Sequence, residues 1–389
     1  MERDEAIKFV QHLLVQMKQR GGSDLFITAG FPPAIKMDGQ LRPVTERPLT
    51  SENSAMLIRA LMSDRQIKEF EAHNECNFAI SPPGIGRFRV SAFVQMGCVG
   101  GVLRTITTEI PTLESLGLPE RLKDIVMAKR GLILMVGATG SGKSTSLAAM
   151  LGHRNANSRG HIITIEDPVE YVHPHVGCMV TQREVGVDTQ NWDNALKNTL
   201  RQAPDVILIG EIRTRETMEY AINFAETGHL VLSTLHANSA NQALDRIINF
   251  FPEEKREQLL MDLSLNLRAI ISQRLVRREG SGRVPAMEIM LNTPLISDLI
   301  SKGEVVGIKE VMGRSNEQGM ITFDQYLFDL FERGIINYEE AIRNADSQNE
   351  LRLKVKLESV RARENLFEDS LVKRMQMKKD DEREQILRR

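Results

Sequence analysis

Cysteine is scarce in this 389-residue chain: the three present, Cys76, Cys98 and Cys178, lie far apart and form no C-x-x-C pair. That excludes a disulfide framework and a zinc ribbon, and it fits a reducing cytosol. An excess of one charge is also missing. Fifty Lys and Arg stand against 52 Asp and Glu, for a formal net charge of −2. This balance gives no global nucleic-acid footprint, and no basic surface interleaved with aromatics stands out, which argues against a nucleic-acid motor. Long hydrophobic runs are absent too. No stretch approaches the length of a membrane span, and the charged residues 1–5 have no apolar segment of signal-peptide length behind them. If the protein works at a membrane, it docks on something already there. Hydrophobic residues still make up 41% of the chain, enough for real cores. The length suggests two domains.

What is present is concentrated in one run, Gly137-Ala138-Thr139-Gly140-Ser141-Gly142-Lys143-Ser144. It fits G-x-x-x-x-G-K-[ST] at every fixed position. A buried strand is expected before it, over 131–136, and a helix from Thr145 after it. The glycines let the backbone form a concave nest of N–H groups, and the helix N-terminus adds positive potential. Lys143 is placed to reach the β- and γ-phosphates and Ser144 to ligate Mg²⁺.

Hydrolysis also needs a metal and a group that positions water. Three later segments offer candidates. Ile162 to Glu170 delivers Glu166 and Asp167 to the end of a strand, where the chain turns at Pro168; carboxylates there can orient water or bind Mg²⁺. Asp205 to Arg213 resembles a Walker B strand ending in Gly210-Glu211, with Glu211 holding Mg²⁺. Thr227 to His236 carries two histidines around a strand. Of these, His229 is taken as the sensor of the γ-phosphate. In the strand 86–94, Arg87, Arg89 and Ser91 share one face. That face is either solvated or supplies guanidinium groups to phosphate charge from a neighbouring domain.

Along the chain, a helix over 5–20 leads a small mixed α+β region. From Leu122 short apolar strands, 131–136, 161–165, 205–209 and 230–234, alternate with helices, the signature of an α/β sheet buried on both faces. Residues 255–278 and 322–345 are expected to be helical. The expected domains are 1–108, a linker over 109–121, an ATPase domain over 122–354 and a charged helical or disordered tail over 355–389. The tail is expected to add little to the stability of the fold.

Together these motifs resemble the secretion and type IV pilus ATPase superfamily, nearest its retraction branch, the PilT/PilU family. Gly137–Ser144 looks like its Walker A, Thr164–Glu170 like its Asp box, Gly210–Arg213 like its Walker B ending and Thr227–His236 like its His box. The tail makes the chain most similar to the accessory retraction ATPases. The resemblance implies a PAS-like N-terminal domain, a RecA-like P-loop ATPase domain and a homo-hexameric ring using ATP and Mg²⁺. It implies Glu166 as water activator, Glu211 as Mg²⁺ partner and Arg87, Arg89 and Arg104 as the N-terminal arginines. It implies as partners a PilT-type retraction ATPase and an inner-membrane platform protein, for a cytoplasmic protein held peripherally at that membrane. Many retraction ATPases have Arg where this chain has Gly97, and Asp where Thr214 stands. Their Ala-Ile-Arg motif is here Leu295-Ile-Ser297. A regulatory nucleotide-binding subunit with little hydrolysis of its own is the alternative, which Gly97 favours and the intact Glu166 and Glu211 oppose.

Overall fold

A computed structural model describes residues 2–37, 39–107 and 109–362. Contacts divide them into two compact units. One contains residues up to Pro111 together with Leu151–Glu211, and the other Thr112–Met150 together with the described residues from Ile212.

In the first unit the helix Arg3–Gln19 buries Ala6, Val10, Leu13, Leu14 and Met17, a stripe of helical spacing. It belongs to one core with Phe70, Phe78, Phe88 and Leu103. That core covers an antiparallel sheet of six strands. They are β1 (Asp24–Ile27), β2 (Ala34–Met37), β3 (Gln40–Pro43), β4 (Glu75–Ile80), β5 (Arg87–Gln95) and β6 (Cys98–Ile106), in the order β3-β2-β1-β6-β5-β4. Val90 and Ala92 of β5 are buried while Arg87, Arg89 and Ser91 are only half-buried, the alternation expected of a sheet packed on one side. Gln95 pairs with Cys98 across a two-residue turn in which Met96 and Gly97 both have positive φ, 49° and 75°. Such a turn favours glycine at its second position, so an arginine there would bring backbone strain. Two helices, Ser51–Ala60 and Asp64–His73, belong to the same unit, the second capped by Ser63.

In the second unit β7 (Gly131–Val136) is buried at every residue. The first unit holds β8 (His161–Glu166), β9 (Met179–Glu184) and β10 (Val206–Ile209), with β8 parallel to both others. The second unit continues with β11 (Leu230–Leu235), β12 (Leu267–Arg277) and β13 (Arg283–Leu291). There β7 lies parallel to β11 and β12, and β13 closes antiparallel on β12.

The helix expected over 255–278 is corrected here. Glu253–Asn266 is helical, but Leu267–Arg277 is a strand. Its run Ala269 to Gln273 is buried without a break, on a strand paired along both edges by β7 and β13. A strand buried on both faces has no polar alternation to distinguish it from a buried helix. Residues 322–345 form two helices, Phe323–Glu332 and Tyr338–Asn344.

The tail also departs from expectation at its start. The helix Gln348–Glu358 buries Leu351 and Val355. Ser359 is fully buried and donates to Glu332 Oε1. Arg361 donates to the carbonyls of Phe331 and Ile336 at 2.7 and 2.9 Å, and pairs with Glu279 at 2.8 Å. The chain from Val355 to Ala362 therefore belongs to the packed body, and the rest of the expected tail, 363–389, lies outside the described residues. Truncation after Lys354 should lower the melting temperature by on the order of 5–10 °C relative to truncation after Ala362, because it removes a buried apolar side chain and several part-buried hydrogen bonds. Equal melts of the two truncated proteins would return the whole segment to the solvated tail first expected.

Candidate active site

The phosphate loop leaves β7 directly and enters the helix Lys143–Asn157. Gly137, Gly140 and Gly142 have φ of 157°, 76° and 87°. At the last two, a side chain would strain the backbone. A Cβ at Gly140 would face open space, with nothing within 4 Å. Ala138, Thr139 and Gly140 are exposed, whereas Lys143 is buried and donates to the carbonyls of Gly137 at 2.8 Å and Ala138 at 3.0 Å. Among the described residues, Ser141 Oγ is buried without a hydrogen-bond partner. An open cradle with a cation on its inner wall and an unsatisfied hydroxyl suits phosphate. Ser144 and Thr145, half-buried, form the first turn of the helix behind it.

The same unit relocates the histidine. In the register of β7 and β11, Leu235 pairs with Val136 at the loop end and Leu230 with Gly131 at the other. His229 precedes Leu230, and its carbonyl accepts from Gly131 N–H at 3.0 Å. It is separated from the loop by the length of β7, roughly 17–20 Å at about 3.3 Å per residue. Its Nδ1 lies 3.1 Å from the Phe224 carbonyl and 3.1 Å from Thr227 Oγ1. The expectation that His229 contacts a γ-phosphate on this loop is therefore corrected: the histidine at the loop end of β11 is His236. Spacing alone did not decide between them, but strand direction does. Ile212 N–H, one residue past Glu211, donates to the Thr234 carbonyl at 2.9 Å.

In the first unit Glu166 closes β8, and Gly210 and Glu211 follow β10 at the same carboxyl edge, where Gly210 N–H donates to the Ile165 carbonyl at 2.8 Å. A Cβ at Gly210 would lie 3.1 Å from Glu166 Cα, so glycine lets the two chain ends meet. Glu166 Oε1 accepts from Thr164 Oγ1 at 2.6 Å and from Gln182 Nε2 at 3.3 Å. Burial pushes the Glu166 carboxyl up to about 7, with these two hydrogen bonds pulling the other way and nearby Glu170 adding to the rise. A carboxylate that titrates near neutrality is suited to accept a proton from water. Gln182 was not singled out from sequence, because β9 was not expected. Glu211 is half-buried.

The three arginines meet on the sheet of β1–β6. Arg89 lies directly opposite Arg104 across β5 and β6. Arg104 Nε donates to the buried Asp24 at 2.6 Å, and Arg87 lies 4.0 Å from Glu184, itself buried. Burial pushes the Glu184 carboxyl up, and Arg87 and Arg89 pull it back. Like charges opposite one another destabilise a strand pair, and here the Asp24 and Glu184 carboxylates offset that repulsion.

A family profile described as type II/IV secretion system protein matches residues 2–317. The chain is 61% identical over 350 residues to the type IV pilus ATPase PilU of Pseudomonas aeruginosa, covering 90% of this chain and 92% of that protein. The chain belongs to the PilT/PilU family of type IV pilus ATPases. It is also 43% identical over 336 residues to the P. aeruginosa retraction ATPase PilT, covering 86% of this chain and 98% of that one. A crystal structure of the pilus retraction motor PilT with bound ADP aligns with a TM-score of 0.82 at 40% identity, over 88% of this chain and 98% of that one. This likeness assigns the fold, a small N-terminal domain and a RecA-like ATPase domain, and family membership makes the chain a nucleotide-binding ATPase. Among the described residues no helix is long and apolar enough to cross a membrane.

Proposed function

We propose that this chain is a Mg²⁺-dependent ATPase subunit of a homo-hexameric motor that assists retraction of type IV pili and so twitching motility. The observation that carries this is the complete phosphate loop in a chain 61% identical to a type IV pilus ATPase over 90% of its length. Gly137 to Thr145 cradle the triphosphate, with Lys143 turning from the Gly137 and Ala138 carbonyls to the β- and γ-phosphates. Ser144 and Glu211 would hold Mg²⁺, which when bound would neutralise phosphate charge. Glu166 accepts the proton of the attacking water, its free oxygen directed by the bonds that Thr164 and Gln182 make to Oε1. Arg87, Arg89 and Arg104 bring positive charge to the phosphates as the ring closes on nucleotide. His236 takes the place first given to His229.

We keep the domains at 1–108 and 122–354 around a linker, with the body extended to at least Ala362, although contacts group Leu151–Glu211 with the N-terminal residues. The ring works with a PilT-type hexamer against a platform protein at the cytoplasmic face of the inner membrane. Labelled pili followed in living cells test this reading. Replacing the chain by its Lys143→Ala form should slow or stop retraction while pili still assemble. Retraction and twitching unchanged by that replacement, or by removal of the chain, would overturn it.

A further inference from the structure

The phosphate loop does not stand on its own glycines alone. It rests on β12, more than a hundred residues away in sequence. Gln273, in the middle of that strand, is 2% exposed. Its Nε2 donates to the Ser141 carbonyl at 2.7 Å, and its Oε1 accepts from Ser146 Oγ at 2.7 Å. One amide thus ties the loop to the first turns of the helix that follows it. Two loop glycines are shaped by the same residue. A Cβ at Gly137 would lie 2.5 Å from the Gln273 carbonyl oxygen, and a Cβ at Gly142 would lie 2.7 Å from Gln273 Nε2. The loop is pressed onto Gln273 at every one of these points.

The other face of the strand is pinned. Arg274, the next residue, donates to the Asn344 carbonyl at 2.7 Å and to Asp346 Oδ1 at 2.6 Å, and its guanidinium lies 3.9 Å from the centre of the Phe323 ring. It also donates to the Asn238 carbonyl at 3.2 Å. Lys309 holds the second Asp346 oxygen at 2.7 Å. A buried amide with both ends satisfied, on a strand anchored from behind, is a fixed post. A loop held in its binding shape before nucleotide arrives avoids part of the ordering cost of binding.

We propose that Gln273 is a positioning residue for nucleotide: it holds the phosphate loop open in its binding shape through Ser141 and Ser146. This rests on the assignment of Gly137–Ser144 as the phosphate site. The probe is ADP, titrated calorimetrically into the full chain. Gln273→Met keeps the size of the side chain and removes both hydrogen bonds. It should weaken ADP binding by roughly tenfold, as expected for two lost hydrogen bonds of ordinary strength, and raise KM for ATP more than it lowers kcat. Arg274→Met provides the contrast. It removes the anchor without touching the loop, so it should lower the melting temperature more than Gln273→Met does while changing ADP affinity less. Wild-type ADP affinity in Gln273→Met, beside clear loss in Lys143→Ala, overturns this inference and leaves the loop assignment standing. Wild-type affinity in Lys143→Ala removes the loop assignment, and this inference with it. If Gln273→Met does not fold, Ser146→Ala decides: a loss of about threefold supports the post, and unchanged affinity refutes it.

Discussion

Lys143→Ala abolishes ATP hydrolysis, with a loss of about a thousandfold or more. The side chain already stands inside the loop, bonded to the Gly137 and Ala138 carbonyls at 2.8 and 3.0 Å. Removing it takes away the cation that offsets charge on the transferring phosphoryl group. A preorganised charge contact of that kind contributes several kcal/mol in a transition state, and about 1.5–3 kcal/mol to binding through its charge-assisted hydrogen bonds. The fold should survive, since the bonds given for the lysine side chain lie within its own loop. Phosphate release at saturating ATP, beside a thermal melt, reads both effects. Wild-type turnover in a folded Lys143→Ala protein would refute the assignment.

Glu166→Gln separates binding from chemistry. The amide is the same size and keeps the nucleotide pocket, but it cannot accept a proton as the carboxylate does. Hydrolysis should fall by roughly 10²–10⁴-fold while ADP affinity stays within about twofold. The pH profile sharpens the test. Burial raises the Glu166 carboxyl to about 7, so the working ionised form is lost as pH falls through that value and recovered above it. Wild-type hydrolysis should therefore decline on the acid side of about pH 7, and the residual rate of Glu166→Gln should lack that limb. A profile identical in the two proteins would move the proton acceptor elsewhere, with Glu211 the first residue to examine.

The strand-end positions of the loop, Glu166 and Glu211 were legible from the sequence because each is fixed by local rules. Gly140 and Gly142 have positive φ values that favour glycine, and the carboxylates end apolar runs of strand length, too short for an ordinary helix. What escaped was whatever depends on partners distant in the chain. The strand Leu267–Arg277 looked helical because its middle, Ala269 to Gln273, is buried without a break and so shows no polar alternation. With the strand went Gln273, whose partner Ser141 is 132 residues away. Likewise β9 was missed, and with it Gln182 beside Glu166. His229 and His236 bracket one strand symmetrically in sequence, and only the parallel pairing of β11 with β7 shows which end carries the loop. The segment after Lys354 looked solvated because charge dominates its composition, yet Val355, Ser359 and Arg361 are fastened to the helices Phe323–Glu332 and Tyr338–Asn344 and the turn between them.

The most direct measurement of the central claim is phosphate release from ATP by the purified chain in Mg²⁺, with Lys143→Ala as the background and with a PilT-type ATPase present or absent. A motor subunit with intact Glu166 and Glu211 should release phosphate at a rate at least about tenfold above that background, a difference of about 1.4 kcal/mol in barrier, and should lose the activity when Mg²⁺ is removed. Tight ATP binding with turnover no faster than Lys143→Ala, both alone and beside the partner, would contradict the account and leave a regulatory nucleotide-binding subunit in its place.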